Sequence, residues 1–316
     1  MRWTRIAAMA VVLCVAGCAT MPQPGYRPLT EVIAHRGASA YAPENTQAAF
    51  ALAADMGADW FELDCMFSAD GHVVVIHDHD LERVAGVAHR VEHLTLQQLR
   101  QFDVGSWKDP RFADERVPTL RQSLALANER GIGVYVEIKS VDRDHELVEA
   151  ILAKAEGATI LSPKLSREVA RMLDESGSRN VAIARKSVAI IRELEMEDKV
   201  VIQSFSPIVC AAVALEAPDI PIELLGSEDK DHPERFEVLL RWLYLFDLDG
   251  FNIHHESVTL TRLAMVQAAD KRMAVWTVND PEVMRRLAHW GVDAIITDRP
   301  DLCLEVLKEA GRRRSP

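Results

Sequence analysis

From Glu31 onward the chain alternates between short apolar runs of β-forming residues and longer stretches with helical spacing. The runs are EVIAHRG, WFELDCMF, GVYVEIK, VVIQSF, IPIELLG, GFNIHH, RMAVWTV and DAIITDRP, eight in all. Helical spacing falls over Gln47–Met56, Leu120–Arg130, Pro233–Leu245, Thr259–Ala269, Pro281–Trp290 and Leu302–Gly311. Strands joined through helices return in the same direction and so pair in parallel. Eight such units in one chain predict a (β/α)8 TIM barrel, with a doubly wound open sheet as the competing topology. Two places break the period. GHVVVIHD follows a tight Ala69–Gly71 turn and reads as a hairpin added to the second strand, ahead of a long polar loop from His79 to Pro118. Residues 158–198 exceed one connection, and SREVARMLDES and SVAIIRELEMED predict an extended helical segment between strands 3 and 4.

Strand alternation locates the chemistry. In WFELDCMF, Phe61, Leu63, Cys65 and Phe67 share an all-apolar face suited to packing under helices. Trp60, Glu62, Asp64 and Met66 then point into the barrel. In VYVEIK the same rule sends Tyr135, Glu137 and Lys139 inward. Carboxylates that lose their hydration together need a cation. Three oxygen donors suit a hard divalent ion, Mg2+ or Ca2+, and no thiol-rich or His-x-x-x-His spacing argues for zinc. The plainer alternative is a buried ion-pair cluster of Glu137 with Lys139 and Arg36. His35 and His77 end the runs EVIAH and VVVIH, so both reach the same mouth and fit a general acid and a general base. Arg36 and Lys139 suit phosphate oxygens, one as a planar fork and one as a point charge. Asn45 is placed to cap a helix starting at Thr46. His72, His79, His89, His93 and His145 lie in turns or polar loops, whereas His254 or His255 is placed to line the site.

Charge and composition narrow the partners. The 316 residues include 36 Lys+Arg against 48 Asp+Glu, a net charge of -12, which argues against nucleic acid and requires local cations to hold any anionic substrate. Arg2 and Arg5 precede a short apolar stretch ending in VAGC, which resembles a bacterial lipobox. That resemblance implies a signal peptide over residues 1–17, lipidation of Cys18, a linker over 18–29 and one domain over 30–316. It also implies a membrane tether, with Ala19 after the cysteine pointing to the outer membrane, facing the periplasm. Cys65, Cys210 and Cys303 are far apart among apolar residues and read as buried thiols.

HRG with PENT, then ELD, HD at His77–Asp78, EIK, SF at Ser204–Phe205, WTVND and GVDAIITDRP together resemble the glycerophosphodiester phosphodiesterase family over nearly the whole mature chain. The resemblance implies a (β/α)8 barrel cleaving glycerophosphodiesters to sn-glycerol 3-phosphate and an alcohol with a divalent metal. It implies Glu62, Asp64 and Glu137 as metal ligands, His35 and His77 as the acid–base pair, and Arg36 and Lys139 on phosphate. It adds Trp276 as a pocket wall and places Glu44 of PENT near the substrate. LERVAG (Leu81–Gly86) departs from the family's usual threonine pair, which bears on the substrate rim. Rival readings are a lysophospholipase D-like activity and a non-catalytic surface lipoprotein.

Overall fold

A computed structural model describes residues 29–228 and 234–313. Eight parallel strands run β1 (Glu31–Ala34), β2 (Trp60–Phe67), β3 (Gly133–Ile138), β4 (Val200–Ser204), β5 (Ile222–Gly226), β6 (Gly250–His254), β7 (Ala274–Trp276) and β8 (Ala294–Thr297). Each pairs with its successor, and β1 pairs with both β2 and β8, so the sheet closes. The closed (β/α)8 barrel replaces the open-sheet alternative.

The expected alternation holds. Phe61, Leu63, Cys65, Val134, Val136 and Ile138 join the buried layer between strands and outer helices, where Phe61 stacks on Phe50 at 4.4 Å. Ile33, Tyr135, Val201, Ala274, Ala294 and Ile296 fill the barrel interior, with Trp60 and Trp276 against them. Cys65, Cys210 and Cys303 are buried free thiols. The five turn and loop histidines are all exposed.

Three local expectations are corrected. Thr46, not Asn45, caps the first helix (Gln47–Asp55): its Oγ1 accepts from Ala49 N–H. A cap must lie in extended backbone, and Asn45 instead has φ 56°. The 79–118 stretch is not an open loop. It holds a two-stranded ribbon (Asp80–Leu81 with Val87–Arg90), short helices, and its own apolar cluster of Leu81, Val84, Val91, Leu99, Val104 and Val117 packed on Met66, Val74 and Ile76. The segment between β3 and β4 forms three helices, His145–Lys154, Pro163–Glu175 and Arg179–Glu193, the last beginning well before the predicted run. Pro207–Glu216, too uniformly apolar to show a face in sequence, is a further helix. The predicted hairpin is present: Val73–Val75 pairs antiparallel with the end of β2. Cys18, the signal residues and the linker up to residue 28 lie outside the described residues, as does Pro233.

Candidate active site

β1 ends at Ala34, and the chain turns at once through Arg36 (φ 55°) and Gly37 (φ 81°). Only glycine fits there: a Cβ on Gly37 would lie 2.6–2.7 Å from backbone and side-chain atoms of Ala49. The turn leaves His35 and Arg36 at the barrel mouth. Arg36 N–H donates to Glu62 Oε2 at 2.9 Å, and its guanidinium reaches Glu44 Oε1 (2.8 Å) and Asp64 Oδ2 (3.1 Å). Asn45, in the left-handed region where Asn is tolerated, clasps Asp64 twice: Nδ2 donates to Oδ2 at 2.9 Å, and Oδ1 accepts from the Asp64 backbone at 3.1 Å. So the Asn of PENT braces the acidic strand instead of starting a helix.

Parallel register sets Asp64 beside Glu137. Glu62, Asp64 and Glu137 are buried, and one oxygen from each lies within 4.8 Å of the others. Lys139 Nζ stands 2.9 Å from Glu137 Oε1 and 3.5 Å from Asp64 Oδ1. The ion pairs of the plainer reading are therefore present, but they do not complete the cluster. Burial, then the charges of Asp64 and Glu137, push the Glu62 carboxyl well above its ordinary range. Burial and Asp64 push Glu137 up to about 7. Asp64 is buried too, yet Lys139, Arg36 and His77 hold it well below the usual carboxylate range. Glu137 Oε1 is buried with the Lys139 ammonium beside it, and that one ammonium is shared with Asp64. Three buried carboxylates against two cations, with one oxygen from each acid converging, make an all-oxygen donor set that fits a hard divalent cation.

Ile76 N–H donates to Asp64 C=O at 2.9 Å and so delivers His77 to the same mouth. Each imidazole is tied by Nδ1 to a carboxylate: His77 to Asp78 Oδ1 and His35 to Asp298 Oδ1, both at 2.6 Å. A carboxylate accepts only, so Nδ1 carries the proton and Nε2 is left for the cavity. Asp298 is steadied by Ser39 Oγ (2.9 Å) and Asn279 Nδ2 (2.6 Å). Burial opposes its charge, yet His35 and these donors hold its pKa down to about 2. Burial also lowers His77, helped by Lys139 and Arg36. Arg83 bridges Asp78 (2.7 Å) and Glu44 (2.6 and 2.8 Å), so Glu44 is a carboxylate gripped by two arginines rather than a free group at the rim.

His35, Arg36, Glu62, His77, Glu137 and Lys139 line a cavity of about 220 Å³. Gln203, beside Glu137 in the strand register, and the apolar Phe205, Leu225, Trp276 and Ile296 line it as well. Trp276 donates from Nε1 to Asn252 C=O at 3.0 Å and meets Phe205 edge-on. His254 packs edge-on behind Trp276, and neither it nor His255 lines the cavity. The structure thus gathers His35, His77, Arg36, Lys139, Trp276 and the three acids in one place. Asp298, Asn279, Arg83 and Gln203 were not anticipated. Asp298 and Gln203 were nonetheless open to the same test that found His35, being polar residues at or near strand ends.

The model of the glycerophosphoryl diester phosphodiesterase family matches residues 35–302. A glycerophosphodiester phosphodiesterase of Caldanaerobacter subterraneus subsp. tengcongensis is 30% identical, covering 89% of this chain and 99% of its own. A phosphodiesterase of Oleispira antarctica, solved in complex with the product sn-glycerol-3-phosphate, is 26% identical with a TM-score of 0.64, covering 89% of this chain and 97% of that one. A glycerophosphodiester phosphodiesterase from Agrobacterium tumefaciens is 27% identical, with a TM-score of 0.63 over 88% of this chain and all of the other. On this match, and with its motifs assembled at the mouth of one barrel, the chain belongs to the glycerophosphoryl diester phosphodiesterase family and is a phosphodiesterase.

Proposed function

We propose that the protein hydrolyses glycerophosphodiesters to sn-glycerol 3-phosphate and an alcohol, with His35 and His77 exchanging the protons. The observation that carries this reading is the pair of imidazoles, each held by a carboxylate at Nδ1, facing one cavity with the acidic triad. Glu62, Asp64 and Glu137 would hold Mg2+ or Ca2+, which supplies charge neutralisation at the phosphoryl oxygens. Arg36 and Lys139 bind the anionic diester and orient it between the two rings. One ring takes at Nε2 the proton of the attacking group, either water or the neighbouring glycerol hydroxyl, the latter giving a cyclic phosphate that water then opens; the other ring gives a proton to the departing alkoxide. Such proton transfers typically contribute ~10²–10⁴-fold each. Trp276 and Phe205 form a wall that excludes water from one flank. Glu44 acts through Arg36, keeping its guanidinium in place.

The test is product analysis with purified protein lacking residues 1–18. Glycerophosphocholine, glycerophosphoethanolamine and lysophosphatidylcholine are each supplied with Mg2+, Ca2+ or EDTA. Metal-dependent release of glycerol 3-phosphate from the first two is expected, with His35→Ala and His77→Ala nearly inactive and still folded. Choline release from the lysolipid alone would transfer the reading to a lysophospholipase D. Undiminished turnover by His35→Ala would remove His35 from the proton exchange. We propose also that Cys18 carries a lipid anchor holding the domain at the outer membrane, facing the periplasm; Cys18→Ser should then abolish incorporation of labelled fatty acid, and persistence of label would sink the idea.

A further inference from the structure

We propose that Gln203 recognises a free glycerol hydroxyl of the substrate, and that its amide is set in the donating orientation by Asn252 and the backbone of β7. The proposal rests on the reading above and names the part of the substrate that this lining residue selects.

The orientation follows from a chain of donors and acceptors. Ala274 N–H, in β7, meets the side chain of Asn252, in β6, at 3.2 Å. A backbone N–H only donates, so the Asn252 atom it meets is Oδ1. Asn252 Nδ2 therefore points the other way, where it meets Gln203 of β4 at 3.0 Å. A donor there requires Gln203 Oε1 as acceptor. Both N–H bonds of Gln203 Nε2 are thus left over, and among the described residues they have no partner. Gln203 is 2% exposed and lines the catalytic cavity, so that donor group faces the cavity and little else.

An amide N–H2 left unpaired in an enclosed site is costly, and a ligand oxygen relieves it. The neighbours decide which oxygen. Arg36 and Lys139 stand with the acids and histidines, where the charged phosphoryl oxygens belong. Gln203 lies beside Glu137 in the strand register and shares the cavity lining with Phe205, Leu225, Trp276 and Ile296, which offer surface to carbon. A neutral donor among apolar walls matches a neutral hydroxyl on a short carbon chain. An acyl ester at the same place would bring hydrocarbon against the amide and leave the donor unpaired, which favours deacylated diesters.

The experiment compares glycerophosphocholine with two analogues, one lacking the hydroxyl at position 2 of the glycerol and one lacking that at position 3. The wild type is expected to prefer the parent over one of them by roughly 10–100-fold in kcat/KM, the range set by one lost neutral hydrogen bond. Gln203→Met keeps the volume and removes the donor; it should erase that preference by lowering kcat/KM for the parent, with an unchanged circular dichroism spectrum and melt showing that the protein is folded. Asn252→Leu keeps the bulk but removes the donor that fixes Gln203 Oε1, so the Gln203 amide is no longer held and the preference should fall again. A wild type indifferent to both hydroxyls overturns the proposal. So does a Gln203→Met variant that slows parent and analogues equally, as loss of a phosphate contact or of packing would. If Asn252→Leu retains the preference, the set orientation is wrong. A wild type that turns over none of the diesters is a different result, and it would fall on the function proposed above.

Discussion

His35 and Asp298 come from opposite ends of the chain, and their contact decides which imidazole nitrogen works. Asp298 has one oxygen for His35 and Ser39 and the other for Asn279. Asp298→Asn replaces one acceptor by a donor, so either Asn279 meets a like group or His35 must move its proton to Nε2. We expect kcat to fall by ~10²–10⁴-fold with KM little changed, measured by steady-state kinetics on a glycerophosphodiester. The same carboxylate has a folded pKa of about 2 against an ordinary 3.8, so its stabilising contribution is present above pH 3.8 and fades as pH falls towards 2. The stability gap between wild type and Asp298→Asn in acid unfolding should close over that interval; a gap unchanged at pH 2 would refute it. The strand-end histidines and the acids could be read from alternation because each obeys a local rule. Asn45 could not, since its left-handed backbone and its hold on Asp64 depend on a strand nineteen residues away. The role of Gln203 was equally hidden: alternation turns it inward, but only Asn252 and Ala274 say which end of its amide faces the cavity.

Among the elements, the β1 turn has the least freedom. Gly37 combines a positive φ with contact on Ala49 of the first helix, and Ala38 N–H donates to Ala49 C=O at 3.0 Å. Gly37→Ala adds a strained backbone to a collision with main-chain atoms, for an expected loss of about 2–4 kcal/mol in denaturant unfolding. Because the same turn carries His35 and Arg36, activity should fall further than stability alone explains. An alanine variant as stable as wild type would show that the helix yields easily. The barrel strands and hairpin were legible from period and turn chemistry. The 79–118 insertion was not, because its apolar residues are spread across short elements that find each other only after folding. The helix at Pro207–Glu216 escaped for the opposite reason: nearly every position is apolar, so no face stands out.

At the scale of the molecule, a chain of net charge -12 gathers part of that charge inside its own barrel. Glu62, and Glu137 at about 7, have raised folded pKa values, so the metal-free protein binds protons that the unfolded chain releases above about 4.5. Its stability should therefore drop as pH rises from about 4.5 to about 7. A divalent ion favours the ionised forms, so its stabilising effect should widen over the same interval. Glu223, buried under β6 and also pushed up to about 7 by burial, adds to that drop in the metal-free protein. Thermal melts with Mg2+ or EDTA between pH 5 and 8 measure this directly; a metal increment that shrinks with pH would contradict it. The insertion after β2, finally, is built on an apolar cluster separate from the main one and meets the chemistry through Arg83 and through Lys108, whose Nζ donates to Ser39 C=O at 2.8 Å. A rim with its own foundation can be exchanged as a unit. Descent or a protein engineer could graft a different 79–118 segment, retaining an arginine to clamp Asp78 and Glu44, and obtain a new preference for the leaving alcohol while inheriting the hydrolytic apparatus unaltered.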